Sequence, residues 1–575
     1  MAECPVNISV VTVSLSLFEL EREGIITRTP PAFPPAQAAY WHAVGMNPNR
    51  LAHFFQDTPV SISKVGQTDI APAIKAFSEV GMRILRSAEA KLHIILADDH
   101  WNPDLREINQ KALLEKEPWL LVCLNGSQPL IGPLFHPDSP QQPCWECLRK
   151  RMLLNDHSLQ ISSFFDPTTP SQSPHSQVTH PLIAQQAAAA AALELAKWVY
   201  QPAESDLNRH LIQLNPLQAT RKLHPLTRLP QCQACGEPEK FRQAPQPIMI
   251  RPQARAETDG GYRTQPAEAT LKAFEHQVSP LTGVVPHLHP YHAKEGLIYN
   301  YSSGRAIALQ SKSMFWTNMH HRSGNGGKGK TEIQAKVGAL CEAIERYSMM
   351  YFPDRYTVTG SLETIPRAIH PNTCMRFSDA QYARRKMVNG KATKFYSMIP
   401  APFDAQAEME WTPAYSLTEK EFKFLPTCFC YAQYPSEDEA NLYSYPDSNG
   451  GAAGNTLEEA ILQGFLELVE RDAAAIWWYN RLKRPEIDLK NTSNPYIDQI
   501  LPHYQSIGRA LYVLDITTDF GIPTFVAISY RTQPNASSGI LYAFGAHVEA
   551  GIALERAIVE INQLLPLAEK NEVKT

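Results

Sequence analysis

The sequence lacks several features that would place the protein outside the cytoplasm. No apolar run approaches the roughly 20 residues that a membrane span needs, and no Lys or Arg precedes the apolar residues 8–20 as a secretory signal requires. Ten cysteines in 575 residues are too few for a disulfide scaffold. A net charge of −5 leaves no basic excess for a nucleic-acid partner. We therefore predict a cytoplasmic protein without a membrane or nucleic-acid partner.

What the sequence does contain is a helix predicted over residues 455–471 with two contrasting sides. One side is polar within an arc of about 160° and carries Asn455, Glu459, Gln463, Glu467, Glu470 and Arg471. The other side is apolar, is expected to face the core, and carries Leu457, Ile461, Leu462, Phe465, Leu468 and Val469. No lysine stands between the glutamates, so their mutual repulsion predicts a hard divalent cation such as Mg²⁺.

A solvated polar face is the alternative interpretation of this stripe. A second predicted helix, over residues 332–350, weighs against it because Glu342, Glu345 and Arg346 repeat the Glu-x-x-Glu-Arg order of residues 467–471. Glu459 and Glu470 are about 16 Å apart along the helix axis. One ion cannot span that distance, so the pattern favours a phosphate chain held with more than one magnesium ion.

The spacing of these residues resembles the ATP-binding motifs of YcaO-domain proteins, and in particular of the azoline-forming cyclodehydratases of the cyanobactin-heterocyclase type. The resemblance covers the chain from about residue 265 onward. It implies ATP and Mg²⁺ as cofactors, with magnesium held by Glu342, Glu345, Glu459 and Glu470. It also implies nucleotide contacts by Arg346, Asn455, Gln463, Glu467, Arg471, Lys272, Ser279 and Arg556. Gly338 departs from the family, which has Ser at that position.

Residues 58–245 alternate predicted strands and helices, which indicates an open α/β sheet. Strands are predicted over residues 60–65, 93–97, 118–124 and 129–135, with a helix over 70–87. This region resembles the E1-like (ThiF-related) domain that precedes the YcaO domain in fused cyclodehydratases. Only Gly66 follows the first strand, so the nucleotide loop of an active E1 enzyme is missing and we predict a scaffold.

Two Cys-x-x-Cys pairs, Cys144 with Cys147 and Cys232 with Cys235, are the chemical feature of this region. Four thiolates from two such pairs complete a tetrahedral Zn²⁺ shell with no open position. A redox role for one pair is the alternative, but it does not account for the second pair. We predict a structural zinc ion.

One motif is typical of a different class of nucleotide-binding protein. Gly324-x4-Gly329-Lys330-Thr331 matches the phosphate-binding loop of P-loop enzymes. That loop needs a buried strand before it, and residues 317–322 do not have the composition of one. P-loop enzymes also hold their magnesium ion with an aspartate at the end of an apolar strand, and the sequence contains no such strand. We therefore predict that the match is fortuitous.

Together these features predict a multidomain protein of α/β and α+β class. The segments are residues 1–57, a remnant of a winged-helix-like leader-binding module with a connector; 58–245, the E1-like zinc-binding scaffold; 246–268, a linker; and 269–575, the α+β YcaO domain. The resemblance implies that the chain is shorter than family members at both ends.

The resemblance implies an ATP-dependent cyclodehydratase that turns Cys, Ser or Thr of a ribosomal precursor peptide into thiazoline or oxazoline. The precursor peptide is the expected partner, and a homodimer is the candidate assembly. Two alternatives stay open: a non-catalytic, peptide-binding homologue, and a kinase or ligase of the P-loop class. The residues do not identify a catalytic base or the preference among Cys, Ser and Thr.

Overall fold

The computed structural model describes residues 9–22, 26, 32–139, 141–156, 178–256, 261–304, 324–392, 397–436, 442–533 and 539–570. The chain divides into two compact units. The first comprises residues 1–150 and 157–237, and the second comprises residues 151–156 and 238–575. Within the described ranges, no helix is both long and apolar enough to cross a membrane.

The first unit is built on one six-stranded sheet. In spatial order the strands are β1 (Val60–Val65), β2 (Leu92–Ala97), β3 (Trp119–Cys123), β4 (Leu130–Phe135), β5 (His210–Asn215) and β6 (Thr220–Pro225). Strands β1 to β3 are parallel, and the remaining pairs are antiparallel. Strands β2 and β3 are almost entirely buried, which is why they are continuous apolar runs in the sequence.

Helices precede and separate these strands along the chain. They are α1 (Val10–Arg22), α2 (Pro35–Ala43), α3 (Pro48–Asp57), α4 (Ala71–Val80), α5 (Leu105–Glu115), α6 (Trp145–Asn155) and α7 (Pro181–Tyr200). Helix α7 packs against α3 and α4, and its small buried residues are Ala187, Ala188, Ala191, Ala192 and Ala196. Helix α4 is shorter than predicted because Gly81, with φ of 102°, ends it in the left-handed conformation.

The described residues of the second unit form three antiparallel sheets of three strands each. One consists of β7 (His289–Lys294), β8 (Ile298–Ser302) and β9 (Gly326–Gly329). The next consists of β10 (Val358–Gly360), β11 (Met409–Ser416) and β12 (Glu421–Pro426). The last consists of β13 (Arg509–Asp515), β14 (Thr524–Arg531) and β15 (Leu541–Ala546).

The helices of the second unit position the candidate site. They are α8 (Ala267–Phe274), α9 (Glu332–Ser348), α10 (Pro371–Met375), α11 (Asp379–Ala383), α12 (Arg385–Asn389), α13 (Thr427–Cys430), α14 (Leu457–Tyr479), α15 (Pro495–Ser506), α16 (Ala550–Asn562) and α17 (Leu565–Lys570). Helices α15 and α16 form the main core with the β13–β15 sheet. Helix α9 packs on the glycine strand β9, where a Cβ on Gly327 would lie 2.0 Å from the Ala335 carbonyl oxygen.

Helix α14 does not have the orientation that its amphipathic pattern predicts. Leu457, Phe465 and Leu468 were expected to face the core, yet they are 54%, 48% and 50% exposed. Val469 is buried as predicted, but Glu459 of the polar stripe is only 6% exposed. The polar stripe therefore faces the protein interior, a position that carboxylates tolerate only with partners or a bound cation. The helix also begins at Leu457, with Thr456 as its cap, so Asn455 precedes it.

Candidate functional site

The two Glu-x-x-Glu-Arg runs lie on α9 and α14 with matching local geometry. On α9, Arg346 approaches Glu345 at 3.6 Å and Glu342 at 3.9 Å. On α14, Arg471 approaches Glu467 at 3.2 Å and Glu470 at 3.9 Å. Each arginine thus pairs with the two carboxylates of its own run, and a guanidinium group has five N–H donors, enough to contact a phosphate group as well.

The glycine-rich loop before α14 joins the two helices. The Gly450 N–H donates to Glu467 at 3.2 Å, and the Ala453 N–H donates to Glu345 at 3.1 Å. The loop comes close to α14 only because residue 464 is glycine, where a Cβ would lie 2.4 Å from the Gly450 carbonyl oxygen. One short loop therefore contacts a carboxylate of each run.

Strand β9 brings Lys328 to the same place. Its ammonium group forms an ion pair with Glu560 of α16, and it interacts through space with Glu342 and Glu470. Burial disfavours the charged lysine, but these carboxylates outweigh burial and raise its pKa. No spacing pattern in the sequence singles out Lys328, because it lies inside the glycine-rich run that resembles a phosphate loop.

We call Glu342, Glu345, Glu467, Glu470 and Glu560 the acidic cluster. Burial, together with neighbouring carboxylates of the cluster, raises the pKa of Glu345 and of Glu470 to about 7, against the opposing effects of Arg346 and Arg471. Burial also raises the pKa of Glu342, against the opposing effects of Lys328 and Arg346. Lys328, Arg346 and Arg471 therefore do not stabilise the negative charge fully, and the cluster favours an additional cation.

Glu459 lies in different surroundings. One of its oxygens accepts from the Thr264 N–H at 3.1 Å and from the Thr264 hydroxyl at 2.9 Å, and the other pairs with Arg263 at 3.1 Å. Burial raises the pKa of Glu459, but these hydrogen bonds and Arg263 outweigh it and give a net lowering. The carboxylate is therefore already satisfied by protein groups, unlike Glu470 on the same helix.

This contrast predicts that Glu459→Gln destabilises the ligand-free protein. The substitution removes the charge that Thr264 and Arg263 stabilise, and charge-assisted hydrogen bonds contribute about 1.5–3 kcal/mol. Because the pKa of Glu459 is lowered on folding, its contribution is present above the unfolded pKa and is lost as the pH falls through the folded pKa. Thermal unfolding at neutral pH measures the loss. An unchanged melting temperature would show that the 263–264 contact is not stabilising.

The other predicted nucleotide residues fall into two groups. Arg556 of α16 donates to Gln463 of α14 at 3.1 Å, so these two residues are brought together. Asn455 accepts from the Thr270 hydroxyl at 2.9 Å. By contrast, Lys272 is exposed on α8, and the hydroxyl oxygen of the buried Ser279 accepts from backbone N–H groups of its own turn. Their phosphate contacts remain predictions.

The carboxylates predicted to bind magnesium do not converge on one point. Among the residues that the structure describes, only the four zinc-type cysteines bring three or more metal-ligand atoms within 4.8 Å of one another. Glu342, Glu345, Glu459 and Glu470 therefore do not form a preassembled cage. This arrangement fits Mg²⁺, which usually keeps waters and shares its coordination with substrate phosphates.

The two Cys-x-x-Cys pairs do meet in the first unit. The Sγ distances are 4.0 Å between Cys144 and Cys147, 3.7 Å between Cys144 and Cys232, and 3.5 Å between Cys147 and Cys235. Four ligands at the usual Zn–S bond length would be about 3.8 Å apart in a tetrahedron. The Leu229 N–H also donates to the Cys147 sulfur at 3.4 Å. The cluster is thus compatible with zinc in geometry and in donor chemistry.

The P-loop-like run has a different structure from a phosphate-binding loop. Gly326–Gly329 form strand β9, paired antiparallel with β8. The ammonium group of Lys330 pairs with Glu555 at 2.6 Å and lies 5.6 Å from the Tyr496 ring centre. Residues 317–322, whose composition also argued against a P-loop, lie outside the described residues.

Comparison with known proteins places these features in a family. The sequence model described as "YcaO cyclodehydratase, ATP- and Mg²⁺-binding" matches residues 326–574. A solved heterocyclase in complex with substrate and cofactor is 35% identical, with a TM-score of 0.89 over 98% of this chain and 76% of its own. The heterocyclase TruD is 33% identical, with a TM-score of 0.77 over 98% of this chain and 75% of its own.

Curated relatives match a smaller share. An uncharacterized protein of Methanothermobacter thermautotrophicus is 30% identical over 238 residues, which are 41% of this chain and 56% of the relative. The Escherichia coli ribosomal protein S12 methylthiotransferase accessory factor YcaO is 26% identical over 248 residues, or 41% of this chain and 40% of the relative. The chain thus spans about half the length, or less, of these curated relatives.

The paired acidic helices and the family match define a protein with an ATP- and Mg²⁺-binding domain. The chain belongs to the YcaO cyclodehydratase family and fits its members with an E1-like part before the YcaO domain. The resemblance noted in the sequence is therefore confirmed, as is the prediction of a mixed α/β multidomain fold.

Proposed function

We propose that the chain is an ATP-dependent cyclodehydratase that converts Cys, Ser or Thr of a ribosomal precursor peptide into thiazoline or oxazoline. The observation that carries this proposal is the acidic cluster, in which Glu345 of α9 and Glu470 of α14 have pKa values of about 7 and Glu345 interacts through space with Glu467 of α14. Such a cluster favours bound cations and, through them, phosphate. Family membership and the substrate-bound heterocyclase neighbour support a peptide as the second substrate.

In the proposed reaction, the thiol or hydroxyl group of the substrate side chain loses its proton and attacks the carbonyl carbon of the preceding amide, which closes a five-membered ring. The former carbonyl oxygen is a poor leaving group. ATP would supply its γ-phosphoryl group to this oxygen, which could then leave as part of a phosphate ion. Departure of phosphate, with loss of the amide proton, leaves the C=N bond of the azoline, so the peptide loses one water per ring.

The protein residues would act mainly by holding and orienting. Glu342, Glu345 and Glu470 would hold magnesium, and the arginines at 346 and 471 would pair with phosphate oxygens. Asn455, Gln463, Glu467, Arg556, Lys272 and Ser279 would orient the nucleotide. Glu459 remains a predicted magnesium ligand, and its recruitment requires exchange of the Thr264 and Arg263 contacts.

Zinc in the four-cysteine cluster would have a structural role. All four positions of a tetrahedral ion are filled by protein thiolates, so none is left for substrate or water. The cysteines come from parts of the first unit that are far apart in sequence, and the ion would tie those parts together.

The test is incubation of the purified chain with Mg·ATP and synthetic peptides encoded by short reading frames beside its gene. ATP-dependent loss of one water per ring, detected by mass spectrometry, is expected. Peptide binding without water loss would instead identify a non-catalytic scaffold. Failure to bind Mg·ATP would remove the proposal altogether.

Lys330→Ala distinguishes this proposal from a P-loop enzyme. A P-loop lysine contacts the nucleotide phosphates, so its loss would abolish ATP binding. Because Lys330 pairs with Glu555 instead, we expect Mg·ATP affinity to change by less than about threefold, or 0.7 kcal/mol. Calorimetric titration of both proteins measures the difference. A loss of a hundredfold or more would favour the P-loop assignment.

A further inference from the structure

His547 is a buried side chain in the second unit that the motifs do not include. It lies between β15 and α16, and no part of the residue is exposed to solvent. Its Nδ1 accepts a hydrogen bond from the Glu549 N–H at 3.1 Å. A backbone N–H can only donate, so Nδ1 carries no proton and the proton of the neutral ring is on Nε2.

The Nε2–H group of His547 is buried and has no hydrogen-bond partner among the described residues. Buried donors are nearly always satisfied, so an exception calls for an acceptor that the protein alone does not supply. Burial, reinforced by Arg556 and Arg263, lowers the pKa of His547 to about 4, which keeps the ring a neutral donor at physiological pH.

The surroundings of Nε2 indicate what the acceptor is. A Cβ built on Gly261, whose φ is 123°, would lie 3.5 Å from Nε2 and 2.7 Å from the Arg556 Nη2 atom. That same nitrogen donates to Gln463, which was predicted to contact nucleotide. Nε2 is therefore close to the guanidinium group of Arg556, where a negatively charged acceptor is favoured.

The backbone adds to this preference. His547 comes shortly before α16, a helix of 13 residues whose first N–H groups carry partial positive charge. Tyr262 closes one side, with its ring edge-on to the imidazole at 4.8 Å between centroids. Glu549, the acidic group next to the ring, is engaged by Arg255 at 3.6 Å and by the Tyr262 hydroxyl.

We propose that His547 donates a hydrogen bond from Nε2 to a phosphate oxygen of the bound nucleotide, beside Arg556. This inference rests on the proposed nucleotide site and adds a contact residue to it. It also gives Gly261 and Tyr262 a role, since they lie against the imidazole and shield its Nε2 donor from water.

Two substitutions separate the two nitrogens of the ring. His547→Asn keeps an acceptor near the position of Nδ1 and removes the Nε2 donor, whereas His547→Gln keeps a donor near Nε2 and removes the Nδ1 acceptor. We expect Asn to weaken Mg·ATP binding about tenfold and Gln to weaken it less than threefold. In the ligand-free protein, the Gln variant should have the lower melting temperature of the two, because only Gln loses the hydrogen bond from the Glu549 N–H.

Calorimetry with ATP, AMP and adenosine identifies the nucleotide group involved. A defect of the Asn variant that appears with ATP and disappears with adenosine supports the phosphate contact. An equal defect with adenosine overturns it, as does equal weakening by both substitutions. ¹⁵N NMR of histidine-labelled wild-type protein adds a measurement without substitution: an Nε2 resonance of His547 that does not move on addition of Mg·ATP contradicts the proposal.

These outcomes keep the inference separate from the function on which it rests. Wild-type protein that does not bind Mg·ATP refutes the nucleotide site itself. Wild-type protein that binds Mg·ATP, together with an Asn variant that binds it equally well, refutes only the role of His547.

Discussion

Cys144→Ser will destabilise the first unit and release its metal, and the unsubstituted chain will contain one zinc ion. The four sulfur atoms are mutually within 4.8 Å in buried surroundings, so removal of one ligand leaves three thiols that no longer complete a tetrahedron. Zinc binding free energy is also folding free energy in such sites. A loss of about 5 kcal/mol would lower the melting temperature by on the order of 10–20 °C.

Elemental analysis and thermal unfolding measure the two parts of this prediction. Cys123→Ser is a matched control, because Cys123 is also buried in the first unit but contacts His100 at 3.0 Å and lies outside the cluster. The control should keep its zinc and lose less stability. Purified protein without zinc, or a Cys144→Ser variant that melts like the wild type, would refute the structural zinc.

Glu470→Gln will weaken Mg·ATP binding at least tenfold, about 1.4 kcal/mol, without destabilising the ligand-free protein. Glu470 is buried among Glu467, Glu560 and Lys328, and burial raises its pKa to about 7. Glutamine has nearly the same size and helix propensity but no charge to desolvate. The carboxylate is therefore unfavourable in the empty site and useful only when a cation binds.

The pH dependence of stability follows from the same pKa. The folded pKa of Glu470, about 7, exceeds the unfolded value near 4.5. Its contribution to stability is therefore fully present below about pH 4.5 and is lost as the pH rises through 7. The contribution of Glu470 to the stability of the ligand-free protein should fall across this window by roughly 3 kcal/mol for a fully separated shift of this size. The Glu470→Gln variant should lose less.

Leu466→Ala serves as the control for Glu470→Gln. Leu466 lies on the same helix and is 2% exposed, so its truncation should cost about 2–5 kcal/mol of stability with little direct effect on nucleotide affinity. Leu468 is unsuitable because half of it is exposed. If Glu470→Gln leaves Mg·ATP affinity unchanged, the stripe on α14 is only a polar face, and the proposed enzyme loses its main support.

Much of the first unit could be predicted from local patterns. The apolar runs of β2 and β3 identified buried parallel strands, since both faces of such strands lack polar side chains. Strands β5 and β6 were not predicted because half or more of their residues are polar, and three of the six residues of β6, at the edge of the sheet, are exposed. The helix was predicted to extend to residue 87, but it ends at Val80 because Gly81 adopts the left-handed conformation. The sequence pattern continues past Gly81 and does not reveal that conformation.

The candidate site could be predicted only in part, for a different reason. Spacing identified Glu342, Glu345, Glu467 and Glu470, because ligands on one helix must share a face. The amphipathic pattern placed the whole apolar face of α14 against the core, and this rule fails for Leu457, Phe465 and Leu468, because function places the charged face inside. Lys328 and His547 contribute through tertiary proximity, and no sequence period indicates either one.

The pKa values of Glu345 and Glu470 have a consequence for proton balance. With both carboxyl groups near half-protonation at pH 7, a magnesium ion that takes them as ligands must expel protons into solution. The heat of binding then includes the protonation of whatever buffer is present. Protons therefore compete with magnesium for these carboxylates. We expect magnesium affinity to fall as the pH drops below 7 and to rise as the pH increases through 7.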